Sequence, residues 1–474
     1  MAKAVLAVMN AALPTVSMFI SIFVVLSRKK EVILSWLFLT SSMDLLSQNI
    51  LGPTVSPLEL IGLLVLPEAL LFLINNSRKS IAIQLIIMDT ILLTVWGIVF
   101  GFLFPWPDLT GVRPWFQQAQ GRALVSLIRH TAYISLALYV AKCIRERPGI
   151  LPLAIKAFFL GVAVNVVYGV VDSYAGGILT HTFFGRTPIE GRISGLNGEP
   201  RALGRVSALA ILTGLIMATS ERKTALFGTL LGSIGVAIAG STSAFGALGA
   251  GLVTLAGHHL VRGRFFKALR ILALSGIVVV SLMTLITVWQ PGLVNNYVLP
   301  RVERVVNPID RSLNEPIWVA GLEVFDRAAM NFLLANPGYM LLGTGPDLIS
   351  IPASSYVSPI ASVIYGSRID SVPHMGLIST LANTGLIGVC FWGMAQFALW
   401  FNLVRRQGIS DQAVAQLVLV VGIFSAVVMT PFFYLVLGVG IGRQLSGCPR
   451  LAQSKGKHFP LRAAANPSAG GVHE

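Results

Sequence analysis

The chain has 474 residues, of which 54% are hydrophobic and 12% charged, against roughly 45–50% and 25% in an ordinary water-soluble domain. That balance excludes a soluble globule. The formal net charge of +15 does not indicate a nucleic-acid binder, because the basic residues fall in short clusters between apolar runs with no aromatic-basic platform beside them.

A helix needs roughly 20 predominantly apolar residues to cross a hydrocarbon core. Runs of that kind recur from Ala4 to Gly442. They read as spans over 4–27, 32–51, 57–75, 80–104, 122–143, 150–172, 203–220, 224–240, 241–257, 268–290, 376–404, 413–429 and 431–445, about twelve or thirteen in all. The first run reads as a retained span with no cleavable signal. Barrel strands of alternating polarity are missing from the pattern, so helices must satisfy the backbone in lipid. The fold expected is an all-α polytopic membrane protein. Basic clusters at Arg28–Lys30, Arg78–Lys79, Lys142–Arg147, Arg222–Lys223, Arg262–Arg270 and Arg405–Arg406 mark cytoplasmic loops. Keeping them on one side requires hairpin breaks near Gly240–Ser241 and Thr430–Pro431. Gly228, Gly232, Gly246 and Gly249 are read as close-packing positions.

On the opposite side lie loops at about 105–121 and 173–202 and a much larger one at 291–375. A connection of roughly 85 residues far exceeds the usual length and is expected to carry function. Within it, Trp318–Leu334 has apolar residues at helical spacing and predicts one amphipathic helix at the membrane surface, with Trp318 packed. The chain thus divides into spans 1–290, the loop 291–375, spans 376–445 and a basic tail 446–474.

Four features could carry chemistry: GRISGLNGEPRALGR (Gly191–Arg205), NPGYMLLGTGPDL (Asn336–Leu348), SVPHMGLISTLANTGLIG (Ser371–Gly388) and the polar cluster Arg122, Arg129 and His130 on another span. Arg129 and Arg205 fall within expected spans, where ionisable groups are costly and tend to be functional or paired; Asp89 and Glu68 are candidate partners. His181, His258 and His259 have no constellation around them. Cys143, Cys390 and Cys448 suggest neither disulfides nor a metal site. Asp347 and Asp370 occur singly, so no divalent-cation site is expected.

The order of these motifs resembles the O-antigen ligase and Wzy-like polysaccharide polymerase family of bacterial membrane glycosyltransferases. Arg192, Ser194, Gly195 and Pro200 match its Arg-x-Ser-Gly stretch before a span. Trp318, Gly343 and Gly345 match the loop helix and its Gly-x-Gly turn. His374 matches the histidine about eleven residues ahead of Gly-Leu-Ile-Gly, here Gly385–Gly388. Met375 stands where the family usually has Asn, and Ser243-Ala244-Phe245 lacks the arginine many members carry. Arg311 and Arg327 are the nearest counterparts of a loop arginine.

The resemblance implies a GT-C-like enzyme in the bacterial inner membrane, with its large loop and active site facing the periplasm. Such an enzyme passes a glycan from an undecaprenyl-pyrophosphate carrier to a hydroxyl of a saccharide acceptor, lipid A core or a growing polymer, without metal or other cofactor. Arg192 would hold the departing pyrophosphate through a bidentate fork. His374 would take the acceptor proton, since an unperturbed imidazole titrates near neutral pH. Arg311, Arg327, Arg129, His130 and Arg205 are the substrate-binding candidates. The rival reading is a transporter or flippase for a polyprenyl-linked glycan, which would show internal repeats and broken helices meeting near the midplane. A non-catalytic scaffold is the third.

Overall fold

A backbone in lipid must pair its own amides, and helix is what the described residues form almost throughout. The computed structural model describes residues 2–43, 46–49, 53–106, 114–184, 193–197, 199–218, 220–273, 316–320, 322–357, 373–406, 408–428 and 430–446, with isolated positions between 274 and 284. Arg192, Arg311, Asp370, Cys448 and most of the expected span 268–290 lie outside the described residues.

Helices α1 (Ala2–Leu26) and α2 (Lys30–Thr40) come first. The expected span 32–51 is corrected here, because α2 has 11 residues. Ser41 and Ser42 turn their hydroxyls back onto the carbonyls of Phe38 and Leu39, and the chain then forms a short antiparallel pair, β1 (Gln48–Asn49) with β2 (Thr54–Val55). The expected span 57–75 is also changed. It is two helices, α3 (Pro57–Leu64) and α4 (Leu66–Asn76), bent by 60°. Pro67 sits in the first turn of α4 and has no amide to donate back to Leu63, so the hydrogen-bond ladder stops there.

The next helices are longer. They are α5 (Ile81–Ile98, continued by a π turn Val99–Leu103), α6 (Ala119–Glu146), α7 (Leu151–Tyr174), the short α8 (Ile178–Phe184), α9 (Pro200–Met217), α10 (Arg222–Ala239) and α11 (Thr242–Val261). The break at Gly240 is present: Gly240 adopts φ +53 and Ser241 caps α11 through the Ala244 amide at 3.4 Å. α9 packs against both α10 and α11. Gly232 allows that approach, since a Cβ there would lie 2.5 Å from the Ser207 carbonyl oxygen, and Gly228 faces the Phe159 ring. Gly246 and Gly249, by contrast, meet nothing within 4 Å, so the close-packing reading fails for them.

The segment after residue 315 contains α12 (Ile317–Ala320), α13 (Val324–Ala335), α14 (Pro337–Leu342) and α15 (Ser350–Ala353). The single amphipathic helix expected over 318–334 is therefore split before Glu323. Trp318 is 58% exposed rather than packed. Phe332, Leu333, Ile349 and Ala353 of this segment form a small core with Ile378, Leu381 and Ala382 at the start of α16 (Gly376–Val404). α17 (Ile409–Val427) and α18 (Phe432–Ser446) complete the chain, and α18 lies along α6.

Among the described residues, seven helices are long and apolar enough to cross a membrane, or eight if α3 and α4 count as one bent span. The protein is an all-α, multi-pass membrane protein. The larger number expected from hydropathy includes runs that end early, bend or stay short, such as the 15-residue α18, and the run 268–290, most of which lies outside the described residues. Large apolar side chains such as Ile91, Val167 and Leu230 remain exposed on these helices, as a lipid-facing surface requires.

Candidate functional site

The Ser194–Asn197 stretch is anchored by one side chain of α7. Asn165 is fully buried, donates to the Ser42 carbonyl at 2.5 Å and accepts from the Leu196 amide at 2.7 Å. Gly195 has φ +58 and presses against that Asn165 side chain, so both conformation and space require glycine. Beyond this anchor α9 begins, and Arg201 in its first turn pairs with Glu323 at 2.6 Å. Glu323 is the N-cap position of α13.

One turn further along α13, Asp326 is 1% exposed and accepts a hydrogen bond from the Met375 amide at 3.0 Å, at the start of α16. Burial pushes its carboxyl above the ordinary aspartate range, against the pull of the Met375 amide and of His374. His374 is exposed, with its ring edge-on to Phe325 at 6.4 Å. The first turn of α13 therefore joins two sequence motifs, the Arg201 end of the first and the His374 end of the third. Arg327, half-buried, lies next to Asp326 in that turn.

The Gly-x-Gly turn joins the same assembly through α16. Gly385 has φ +67 and ψ −166, which breaks α16 in mid-course. Its Cβ, if present, would overlap the Leu341 carbonyl oxygen. The break frees carbonyls of α16, and the turn supplies their donors: the Thr344 amide and hydroxyl donate to the Ala382 carbonyl at 2.7 and 2.9 Å, and the Gly345 amide to that of Asn383 at 3.2 Å. The Asp347 amide in turn donates to the Asn383 side chain at 3.0 Å. Gly343, Gly345 and Asp347 all have positive φ, which two glycines and an aspartate tolerate.

Docked this way, Asp347 faces the α6 side chains Ser126, Arg129 and Arg122. Burial again raises its carboxyl, and those neighbours pull it back. These α6 residues are spaced by seven, four and three positions and so share one helix face. Arg122 donates to Ser350 at 2.5 Å and to the Gln117 carbonyl at 2.6 Å. Arg129 lies 3.3 Å from Glu59 and donates to the Thr54 carbonyl at 2.6 Å. Glu59 also accepts from Tyr133 at 3.2 Å and closes the capping box with Ser56 at the start of α3. A cavity of about 260 Å³ opens between Glu59, Arg129, Tyr133, Thr54 and Thr40. His130, on the adjacent face, meets Thr90 at 3.3 Å and Asp89 at 4.0 Å. Gly388 lets α16 approach Asp89, since a Cβ there would lie 3.1 Å from Asp89 Oδ1.

The expected residues thus fall into two groups. His374 and Arg327 share the α13 face with Arg201, while Arg129 and His130 sit inside the bundle with Arg122. Arg205 is half-buried on α9, and Arg192 and Arg311 lie outside the described residues. The partners suggested for the arginines change: Glu68 pairs with Lys142 at 2.6 Å, and Arg129 has Glu59 and Asp347. Arg201, Glu323, Asp326 and Glu59 were missed by sequence reading. Only Glu59 left a local signal, the Ser-x-x-Glu pattern at Ser56. Among the described residues no group of three or more His, Cys, Asp or Glu could hold a metal ion. No family model and no curated protein matches the chain.

Proposed function

We propose that the chain is a GT-C-type glycosyltransferase of the bacterial inner membrane. It moves a glycan from an undecaprenyl-pyrophosphate donor to a hydroxyl of a saccharide acceptor on the periplasmic side, as an O-antigen ligase or a polymerase. The observation that carries the reading is the convergence on the first turn of α13, where Arg201 meets Glu323 and the Met375 amide, next to His374, donates to Asp326. Segments near 200, 325 and 374 are brought to one face, and that face presents an exposed imidazole and guanidinium groups. A guanidinium stabilises a departing pyrophosphate, and an imidazole accepts a hydroxyl proton. In this scheme His374 is the base, Arg192 holds the pyrophosphate, and Arg201 and Arg327 flank the donor. No metal is needed, because the arginines supply the positive charge.

The transporter reading gains one specific observation. The break in α16 at Gly385, close to the buried Asp89–His130 pair, is the kind of interrupted helix that transporters use. Here, however, the freed carbonyls are taken by the Thr344 and Gly345 donors, so the break serves to dock a loop. Reconstituting the full chain in vesicles with a lipid-linked glycan separates the two. Formation of glycosylated acceptor on one face supports the transferase. Movement of the intact lipid-linked glycan between leaflets without transfer supports the transporter and removes the proposal.

A further inference from the structure

The far end of α11 carries a second polar cluster that glycosyl transfer does not use. His258 and His259 are 3% and 2% exposed, with ring centroids 5.3 Å apart. The Trp400 indole of α16 donates to His258 Nδ1 at 3.0 Å. An indole N–H can only donate, so Nδ1 carries the lone pair and a neutral His258 holds its proton on Nε2. That Nε2–H is buried and has no hydrogen-bond partner among the described residues, and Arg262 Nη1 is in the same condition. A buried donor left unmade costs about 1–3 kcal/mol, so two in one place imply an acceptor.

The helix end itself does not supply it. The Gly263 and Arg264 amides close α11 by donating to the carbonyls of Leu260 and His259 at 2.8 and 2.9 Å. Nor does a carboxylate: among the described residues none pairs with Arg262, Arg264 or Lys267, which surround the two histidines. Burial and the neighbouring Arg264 hold the Arg262 guanidinium below its usual range. Immediately beyond, Phe265 and Phe266 are 59% and 84% exposed on the helical residues 265–273, with Leu269 also exposed. Bare apolar rings next to cations at the end of a spanning helix fit the boundary of a bilayer, with the rings in the hydrocarbon and the cations at the headgroup level.

We propose that His258, Arg262 and their basic neighbours form a binding site for the phosphate of an anionic membrane lipid, seated in the leaflet at the basic end of α11. The His258 Nε2–H and the Arg262 guanidinium donate to phosphate oxygens, Arg264 and Lys267 neutralise the charge, and Phe265 and Phe266 lie among the acyl chains. The chemistry recognised is a phosphate group. The apolar flank assigns its source to a lipid rather than to the aqueous phase. This site is independent of glycosyl transfer and stands or falls without it.

The test is native mass spectrometry of the full-length protein in detergent, titrated with phosphatidylglycerol and with phosphatidylcholine. Phosphatidylglycerol should be retained preferentially. Arg262→Gln should weaken that retention about tenfold or more, because a charge-assisted bond is lost. Arg262 is only partly buried, so this variant should fold. Trp400→Phe should weaken it less, by releasing the tautomer of His258. Arg222→Gln, at the basic start of α10, should leave it unchanged. Displacement of phosphatidylglycerol by millimolar inorganic phosphate would keep the phosphate site but overturn its assignment to a lipid. Equal retention of both lipids, or retention of phosphatidylglycerol insensitive to Arg262→Gln, would overturn the site itself.

Discussion

The two polar groups at the heart of this protein differ in how their charges are spent. Inside the bundle, Arg129 faces Glu59 and Asp347, and Arg122 is bonded to Ser350 and to a backbone carbonyl. On the α13 face, Asp326 and Glu323 are engaged with backbone and Arg201, and His374 is left exposed. A closed network fixes geometry by engaging each of its charges, and Arg122 and Glu59 are buried in it. An open one has groups still available to a substrate. The inner group is therefore expected to hold the α3, α6, α16 and Gly-x-Gly elements in place, and the outer group to perform the chemistry. Variants can break or sharpen this contrast.

The largest effect on stability is expected at Gly385. Its φ and ψ fall in a region nearly confined to glycine, worth ~1–3 kcal/mol in strain for another residue, and a Cβ would also push against the Leu341 carbonyl. Gly385→Ala should undock the Gly-x-Gly turn, lower the thermal unfolding midpoint strongly and expose the 343–348 segment to protease. Next comes Arg129→Ala, which leaves Glu59, at 7% exposure, bonded to Tyr133 and Ser56 but without its cation. Because the Arg129 side chain is 39% exposed, the pair is partly screened, and a loss of ~1–3 kcal/mol is expected. A double-mutant cycle with Glu59→Gln should show that the two changes are not additive.

The smallest change, and the one of opposite sign, is at Asp326. Its folded carboxyl titrates above the unfolded one, so the folded state binds more protons in the window between about 4 and the raised value. Stability contributed there is present at low pH and is lost as pH rises through the folded value. Asp326→Asn keeps an oxygen to accept from the Met375 amide and removes the buried charge. It should raise the unfolding midpoint slightly at neutral pH and flatten the pH dependence in that window.

Much of the architecture was legible because apolar runs and Gly-Ser breaks are local signals, as at Gly240 and Ser241. The early end of the expected span 32–51 and the bend in 57–75 were not. Hydropathy averaged over 32–51 cannot see that Ser41 and Ser42 fold back on α2, nor can it weigh the single missing amide at Pro67. The motifs around Ser194–Gly195 and Gly385–Gly388 were visible as spellings, while their causes, the Asn165 clamp and the docked Gly-x-Gly turn, depend on residues far away in the chain. Asp347 read as a lone carboxylate for the same reason: its partners on α6 precede it by more than two hundred positions. Arg201 lies within the first motif, but nothing local to it announces Glu323.

The central claim is that the exposed imidazole of His374 accepts the acceptor proton. It is tested most directly by measuring binding of a lipid-linked glycan and its transfer in parallel on purified wild type, His374→Ala and His374→Gln. The account predicts that both variants fold and bind the donor as wild type does, while transfer falls on the order of 10²- to 10⁴-fold. Near-normal transfer by His374→Ala would contradict it.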